Sequence, residues 1–355
     1  MPFALALLVV GMELTPAHVV YTGPLLTATP ALAAVTMGPK GTISAALTAL
    51  LVSVITATHN QAWGTQQVYT NVLAIVLVSA ASVMTSSATH ARRRSELNQV
   101  RRIAEAAQRV LLRPVAGRLG PVRAASLYLA AEAGAQIGGD LYEAVRTRFG
   151  VRMIMGDVRG KGLPAVRSAA AVLGAFREAV HYEQDLVEVM AHCAAALRRE
   201  RAMPRGVGQD EEDPAEGFVT ALVAEVCDGS MVRVVNRGHP PPLLLHQGRV
   251  HLLTPASPLP PLGLEEFLTG PAAAPESFPF APGDRLVLYT DGVVEARDDD
   301  DVFFSLPGPV EAAPASSPSE LLELLHQALL RHTEGHFTDD VAVLVVDRLD
   351  EEADR

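Results

Sequence analysis

Four short stretches set an aspartate beside a glycine or a second acid at the edge of an apolar run. They are "IGGDLY" with Asp140, "MGDVRGKG" with Asp157, "LYTDGVVEA" with Asp291, and "FTDDVAVLV" with Asp339 and Asp340. One aspartate at a strand end is ordinarily a turn former, since its short side chain bonds its own backbone. Four such positions, each against a strong apolar segment, point instead to carboxylates gathered in one cleft. Gathered carboxylates repel and need cations, and oxygen-only ligation without a Cys/His pattern selects Mg²⁺ or Mn²⁺ over Zn²⁺. Four aspartates balance two divalent ions, and two such ions with an acidified water are a common arrangement for cleaving phosphate esters.

The glycines of "MGDVRGKGLPA" suggest a rival, a phosphate-cradling loop of the form G-x-x-x-x-G-K-[ST]. Only three residues separate Gly156 from Gly160, and Gly162 stands where the hydroxyl belongs. The nucleotide-hydrolase reading loses its support there. Asp157 is expected to be a metal ligand, with the glycines letting the backbone come close to the ion.

Those aspartates lie in the second part of a divided chain. Residues 1–90 carry two formal charges, Glu13 and Lys40, within 355 residues of net charge −11. An apolar half joined to an acidic, water-soluble half is the reading, and the acidity argues against a nucleic-acid surface. Cys193 and Cys227 are too few for a disulfide framework, and buried reduced thiols are expected.

Residues 42–58 and 69–89 are each near the ~20 residues a helix needs to cross a bilayer. Residues 3–20 and 24–39, interrupted by Pro16, Pro24 and Pro30, make two weaker candidates, for about four transmembrane helices in all. A cleaved signal peptide is the alternative for the first, but it lacks the charged leading region. The abrupt apolar opening points to a native stretch missing ahead of it or to a misassigned start. Arg92, Arg93, Arg94, Arg101 and Arg102 follow the last span, and Lys40 precedes the third. The positive-inside rule places both on the cytoplasmic side of the cell membrane, with everything beyond residue 91.

Residues 92–113 read as a helix closed by Pro114. Leu97, Val100, Ala104, Ala107 and Leu111 form a two-heptad seam. The seam suits a homodimer or an amphipathic helix packed on its own domain. Beyond it, strands are expected at 123–131, 151–156, 218–226, 231–236, 242–246, 249–253, 284–290 and 341–347. Helices are expected at 164–181, 185–200 and 318–332. The polar stretch 203–217 reads as a mobile loop and the proline-rich 254–282 as a flap over the site. The pattern is layered α+β rather than a doubly wound parallel sheet. The domains expected are a transmembrane region at 1–90, a linker helix at 91–116 and a catalytic domain at 117–350.

In order along the chain, "AQIGGDLYEA", "GDVRGKGLPA", "FVTALVAEV", "VVNRGHPPPLLL", "PLGL", "FAPGDRLVLYTDGVVEAR" and "TDDVAVLVV" occur. From about 120 to 348 this series resembles the stage II sporulation protein E-like branch of the PPM-type metal-dependent serine/threonine protein phosphatases. The layout with a membrane half resembles actinobacterial members. The resemblance implies an α-β-β-α sandwich with two Mn²⁺ or Mg²⁺ ions in a cleft at one end. By motif, Asp140, Asp157, Asp291 and Asp339 would be ligands, joined by the carbonyl of Val158, with Asp157 bridging. Asp157 and Asp291 are the residues expected to carry catalysis. Asp340 stands where distant relatives have asparagine, which leaves the choice between it and Asp339 open.

The chain departs from those relatives at the histidine that follows their "DG". Arg159 and Gly160 stand there, so leaving-group protonation has no assigned residue. His239 reads either as a substitute acid or as the residue ordering a turn before prolines. Lys161 either meets a substrate phosphate or is solvated. Arg237 replaces a small residue before "GHPP", which puts the packing there in question. Thr220 and Asn236 read as structural, Glu295 as a support for Asp291 or a surface ion pair, and Asp298–Asp301 as a solvated turn.

The expected function is a membrane-anchored phosphatase that dephosphorylates serine or threonine on a cytoplasmic regulatory protein. The resemblance implies an anti-sigma-factor antagonist as substrate. The rival from another class is a membrane-tethered scaffold whose phosphatase-like domain has lost turnover.

Overall fold

The computed structural model describes residues 2–13, 23–59, 61–131, 138–203, 217–227, 229–267, 274–313 and 315–350. The loop expected at 203–217 falls almost wholly outside them. The chain forms two compact units, Met1–Val100 and Arg101–Arg355.

The first unit contains α1 (Pro2–Glu13), α2 (Ala28–Thr36), α3 (Pro39–His59) and α4 (Gln66–Leu111), with the division falling inside α4. Two helical stretches, Pro39–His59 of 21 residues and Gln66–Arg93 of 28, are long and apolar enough to cross a membrane. At 1.5 Å per residue, α1 with 12 residues and α2 with 9 cannot span ~30 Å of hydrocarbon alone. The expectation of four spans is therefore met at two helices. This unit buries small polar side chains beside its apolar core and leaves several leucines outside. Thr42, Ser53, Asn71, Ser82 and Ser86 are buried, while Leu47, Leu51, Leu73 and Leu77 are exposed. Asn71 Nδ2 donates to Ser53 Oγ at 3.4 Å, joining α3 to α4.

The second unit opens with β1 (Arg118–Leu119), β2 (Val122–Leu129), β3 (Leu141–Thr147) and β4 (Gly150–Val158). Helices α5 (Leu163–Ala179) and α6 (Leu186–Arg201) follow, then β5 (Val219–Val226), β6 (Met231–Arg237), β7 (Leu243–His246) and β8 (Arg249–Leu252). The chain continues through β9 (Glu276–Pro279), β10 (Arg285–Tyr289), α7 (Asp291–Val294), α8 (Pro307–Ala312), α9 (Pro318–His332) and β11 (Val341–Arg348). The strands form two antiparallel sheets, ordered β1-β2-β11-β10-β7-β8 and β3-β4-β5-β6-β9.

Strand alternation builds the layers. On β11, Ala342, Leu344 and Val346 face the larger core, which extends through the second sheet to Leu173 and Phe176 of α5 and Met190 of α6. Val341, Val343 and Val345 point the other way, onto Leu321, Leu325 and Leu329 of α9. The order is helix pair, sheet, sheet, helix: the expected α-β-β-α sandwich. Local chemistry fixes the helix ends. Asp185 accepts from Val187 N at 2.9 Å, and Ser317 and Glu320 form a capping box with Pro318 in the first turn of α9.

Two expectations change. Strand β3 was not foreseen, because "LYEAVRT" breaks the apolar alternation. Its Glu143 is buried by pairing with Arg177 of α5 at 2.5 Å. The proline-rich 254–282 is not a flap over the site where it is described, but is stitched to the second sheet. Leu262 exchanges both backbone hydrogen bonds with Val219, and β9 pairs with β6. Arg237 secures it, donating to the Pro260 carbonyl at 2.5 Å, which answers the packing question there. In the linker, the side chains of Leu97, Val100, Ala104 and Ala107 lie outside the described residues. Leu111 packs against the core of its own unit, as the second reading of that helix required.

Candidate active site

Four separate segments deliver the predicted carboxylates to one end of the sandwich. Asp140 directly precedes β3. Asp157 is the penultimate residue of β4, paired with Thr220 on β5, so the strand runs past it rather than stopping before it. Asp291 opens α7 directly after β10, and Asp339 precedes β11. The glycines beside them permit chain-to-chain approach. A Cβ on Gly139 would come within 2.9 Å of the Val158 carbonyl oxygen, and one on Gly292 within 1.9 Å of the Asp340 carbonyl oxygen. A Cβ on Gly156 would meet the Thr220 carbonyl at 2.5 Å. That glycine serves strand packing, not the close approach to an ion expected of it.

The four acids lie within electrostatic reach of one another. Burial first, then the charges of Asp291 and Asp339, push the Asp157 carboxyl up to about 7. Burial, followed by the charges of Asp157 and Asp340, holds Asp140 well above the usual carboxylate range. Asp291 is raised by burial, then by Glu295 and Asp339. Burial and neighbouring like charges both disfavour the ionised carboxylate. Among the described residues, no three of His, Cys, Asp or Glu stand ready-made around one cation position.

Two adjacent acids play opposite parts. Asp340 is buried, and its carboxylate accepts from Ala131 N at 2.8 Å, Gly138 N at 3.1 Å, Tyr128 Oη at 2.5 Å and Gln108 Nε2 at 3.3 Å. Four donors consume its acceptor capacity. It is a hub that ties β2, the Gly138 loop and the last turn of α4 to the start of β11. Asp339 is half exposed, accepts from Asp340 N at 3.0 Å and lies 3.5 Å from Lys161 Nζ. The geometry leaves Asp339, not Asp340, available to a cation.

His239 is not a free acid. Its ring is buried, with Nε2 3.1 Å from the Tyr289 carbonyl and Nδ1 3.0 Å from Thr220 Oγ. A carbonyl only accepts, so Nε2 carries the proton and Thr220 donates to Nδ1. Burial pushes the imidazole down to about 3. His239 is a neutral strut between the sheets, and Asn236 holds its backbone on both sides, at 2.8 and 2.9 Å. Thr220 and Asn236 are structural, as expected. Glu295 is exposed and adds negative charge beside Asp291. Asp298–Asp301 is a turn in which Asp298 Oδ1 caps the backbone and Asp301 pairs with Arg297 at 3.0 Å.

Three positions went unremarked in the sequence. Thr290 donates to Asp140 Oδ2 at 2.9 Å and accepts from Ala342 N at 2.9 Å, fixing one cluster acid from the neighbour of another. Tyr128 and Gln108 serve Asp340. Thr290 was accessible from its place beside Asp291. The other two are far from every motif in sequence, and nothing local marks them.

Known proteins with the same architecture include the SiaA-PP2C domain of Pseudomonas aeruginosa, at 17% identity and TM-score 0.57 over 73% of this chain and 98% of that one. The structure of the RsbU and RsbW domains of Rv1364c from Mycobacterium tuberculosis matches at 23% identity and TM-score 0.52, over 66% of this chain and 63% of that one. Protein IcfG of Synechocystis sp. is 26% identical over 239 residues, 60% of this chain but 36% of the relative. The chain thus spans about a third of that relative's length and less than two thirds of the Rv1364c structure. Residues 147–349 match the family model of the stage II sporulation protein E. Since the match covers more than half of the chain and carries Asp157, Asp291 and Asp339, the chain belongs to the stage II sporulation protein E family and has the PP2C-type phosphatase fold.

Proposed function

We propose that the chain is a membrane-anchored, Mn²⁺- or Mg²⁺-dependent protein serine/threonine phosphatase acting on a cytoplasmic regulatory phosphoprotein of the anti-sigma-factor antagonist type. The observation that carries this is that four carboxylates from four segments meet at one end of a phosphatase fold, where the charges of Asp291 and Asp339 help push Asp157 up. An oxygen-only donor set of this charge fits two hard divalent cations. Asp140, Asp157, Asp291 and Asp339 would hold them with the Val158 carbonyl. When bound, such ions polarise phosphoryl oxygens and acidify water.

The protein's part is placement. Asp157 is paired with Thr220 in the strand ladder, which fixes the backbone from which its carboxylate projects. Thr290 orients Asp140, and the Asp340 hub fixes the backbone from which Asp339 projects. The phosphatase domain is assigned to 117–350, the linker helix to 91–116 and the membrane region to 1–90. The buried polar groups and outward leucines of α3 and α4 support the membrane reading, since polar groups in hydrocarbon must find partners within the bundle. Two spans leave Lys40 and Arg92–Arg94 on one side, which the positive-inside rule makes cytoplasmic. The phosphatase domain follows them there.

The test uses the full chain in detergent or nanodiscs and follows hydrolysis of a phosphoserine peptide against Mn²⁺ concentration. Saturable turnover abolished by EDTA and by Asp157→Ala is expected. Absent turnover in a folded, cation-binding protein would select the silent scaffold instead.

A further inference from the structure

Lysine is nearly absent from this chain. Of 29 Lys and Arg residues, the lysines are Lys40 and Lys161, so the catalytic unit uses arginine everywhere except at one place. The buried ion pairs Arg152–Glu225, Arg177–Glu143 and Arg285–Asp347 are made by arginine. That is the expected choice for buried, forked contacts. Lys161 stands between Gly160 and Gly162, both at positive φ, on the turn that leaves Asp157. Its Nζ is 3.5 Å from Asp339 Oδ1, with the two side chains 39% and 46% exposed. Among the described residues it is the one Lys or Arg in ion-pair contact with the four-acid cluster. Arg159, on the same turn, is directed to the Phe218 ring at 5.4 Å.

From these facts we infer that Lys161 is the substrate-binding cation that receives the phosphate group of the phosphoprotein. The inference rests on the phosphatase reading and adds a residue to it. Asp140 is buried, so a phosphate reaches the cluster from the side where the partly exposed Asp157, Asp339 and Lys161 lie. A phosphate dianion approaching a cluster of carboxylates in a chain of net charge −11 meets repulsion, and a cation at the mouth offsets it. An exposed ion pair is worth little, at most about 1 kcal/mol, so Lys161 can exchange Asp339 for phosphate at small cost. An ammonium has three rotatable donors and binds phosphate as a point charge, without the fixed geometry of a guanidinium. The glycines on either side let the turn carry this side chain outward while no bulk crowds Gly160.

The test compares wild type, Lys161→Met and Lys161→Arg as full chains at saturating Mn²⁺. It reads kcat and KM for a phosphoserine peptide, the inhibition constant of inorganic phosphate, and phosphate binding by equilibrium dialysis. For Lys161→Met, KM and the phosphate inhibition constant should rise roughly tenfold, the size of one charge-assisted contact, with a smaller fall in kcat. Lys161→Arg should recover part of both. Melting temperature should be unchanged, because the pair it breaks is exposed. If wild type turns over and Lys161→Met matches it in KM and phosphate inhibition, the inference fails while the phosphatase reading stands. If wild type does not turn over, that reading fails, and dialysis still decides on Lys161. Equal phosphate binding by wild type and Lys161→Met, or none by either, overturns it.

Discussion

The two units of this chain differ in which side chains they bury. In the first, Ser53, Asn71, Ser82 and Ser86 are inside, and Leu47, Leu51, Leu73 and Leu77 are outside. In the second, Leu, Val and Ile fill the space between sheets. Buried charges there are paired, as in Arg152 with Glu225 at 2.6 Å. Water rewards removal of apolar surface, whereas hydrocarbon gives helices no such drive and requires only that polar groups find one another. The same residue type therefore means opposite things in the two units. On the proposed membrane reading, a half-exposed leucine is an anchor in the first and an incidental surface residue in the second.

The largest effect should come from confining the chemistry to the second unit. Asp157→Ala should lower Mn²⁺-dependent turnover by more than about 100-fold, beyond the loss seen when partners of metal ligands are removed. Membrane insertion should be intact, as judged by membrane flotation beside the peptide assay. Next, charge should separate the two kinds of exposed leucine. Leu51→Arg, at a position 60% exposed, should disfavour insertion by about 2.5–3.5 kcal/mol, read as loss of the membrane fraction. Leu324→Arg, at 48% exposure on α9, should change the melting temperature negligibly. Equal outcomes for the two leucines would mean that the first unit does not face lipid.

The neighbouring acids sharpen the contrast within the catalytic unit. Asp340→Asn keeps the shape but sets an amide against donors, and should cost roughly 2 kcal/mol of stability. Asp339→Asn should leave the melting curve nearly unchanged and weaken Mn²⁺ binding, measured by calorimetry. The smallest effect is on pH. Asp157 moves from 3.8 to about 7 on folding, so the folded state binds the proton more tightly. In EDTA this contribution is fully present below about pH 4 and is lost as pH rises to about 7. Mn²⁺ should therefore raise the melting temperature by a few degrees more at pH 8 than at pH 5. An equal increment at both would separate Asp157 from cation binding.

Much of the second unit was legible because burial on one face of a strand imposes a period of two, and helix ends carry capping residues. The helix expected at 318–332 matches α9, whose start is fixed by Ser317, Pro318 and Glu320. Strand β3 was hidden because Glu143 is satisfied by Arg177, a partner 34 positions away. The region 254–282 read as a flap because its attachment runs through two carbonyls and the Arg237 guanidinium, which leave no pattern in composition.

What the sequence by itself determined is local: which segments are apolar and for how long, where strands alternate, and that four aspartates sit where strands end. Each of those follows from side chains acting within a turn or two of one another. Only the tertiary structure decided that Asp340 is a hub and Asp339 is open, that His239 is a neutral strut, and that Lys161 faces the acids. Those roles are set by donors and charges brought from distant segments. A carboxylate becomes a ligand or a fastening according to how many hydrogen bonds have already claimed it.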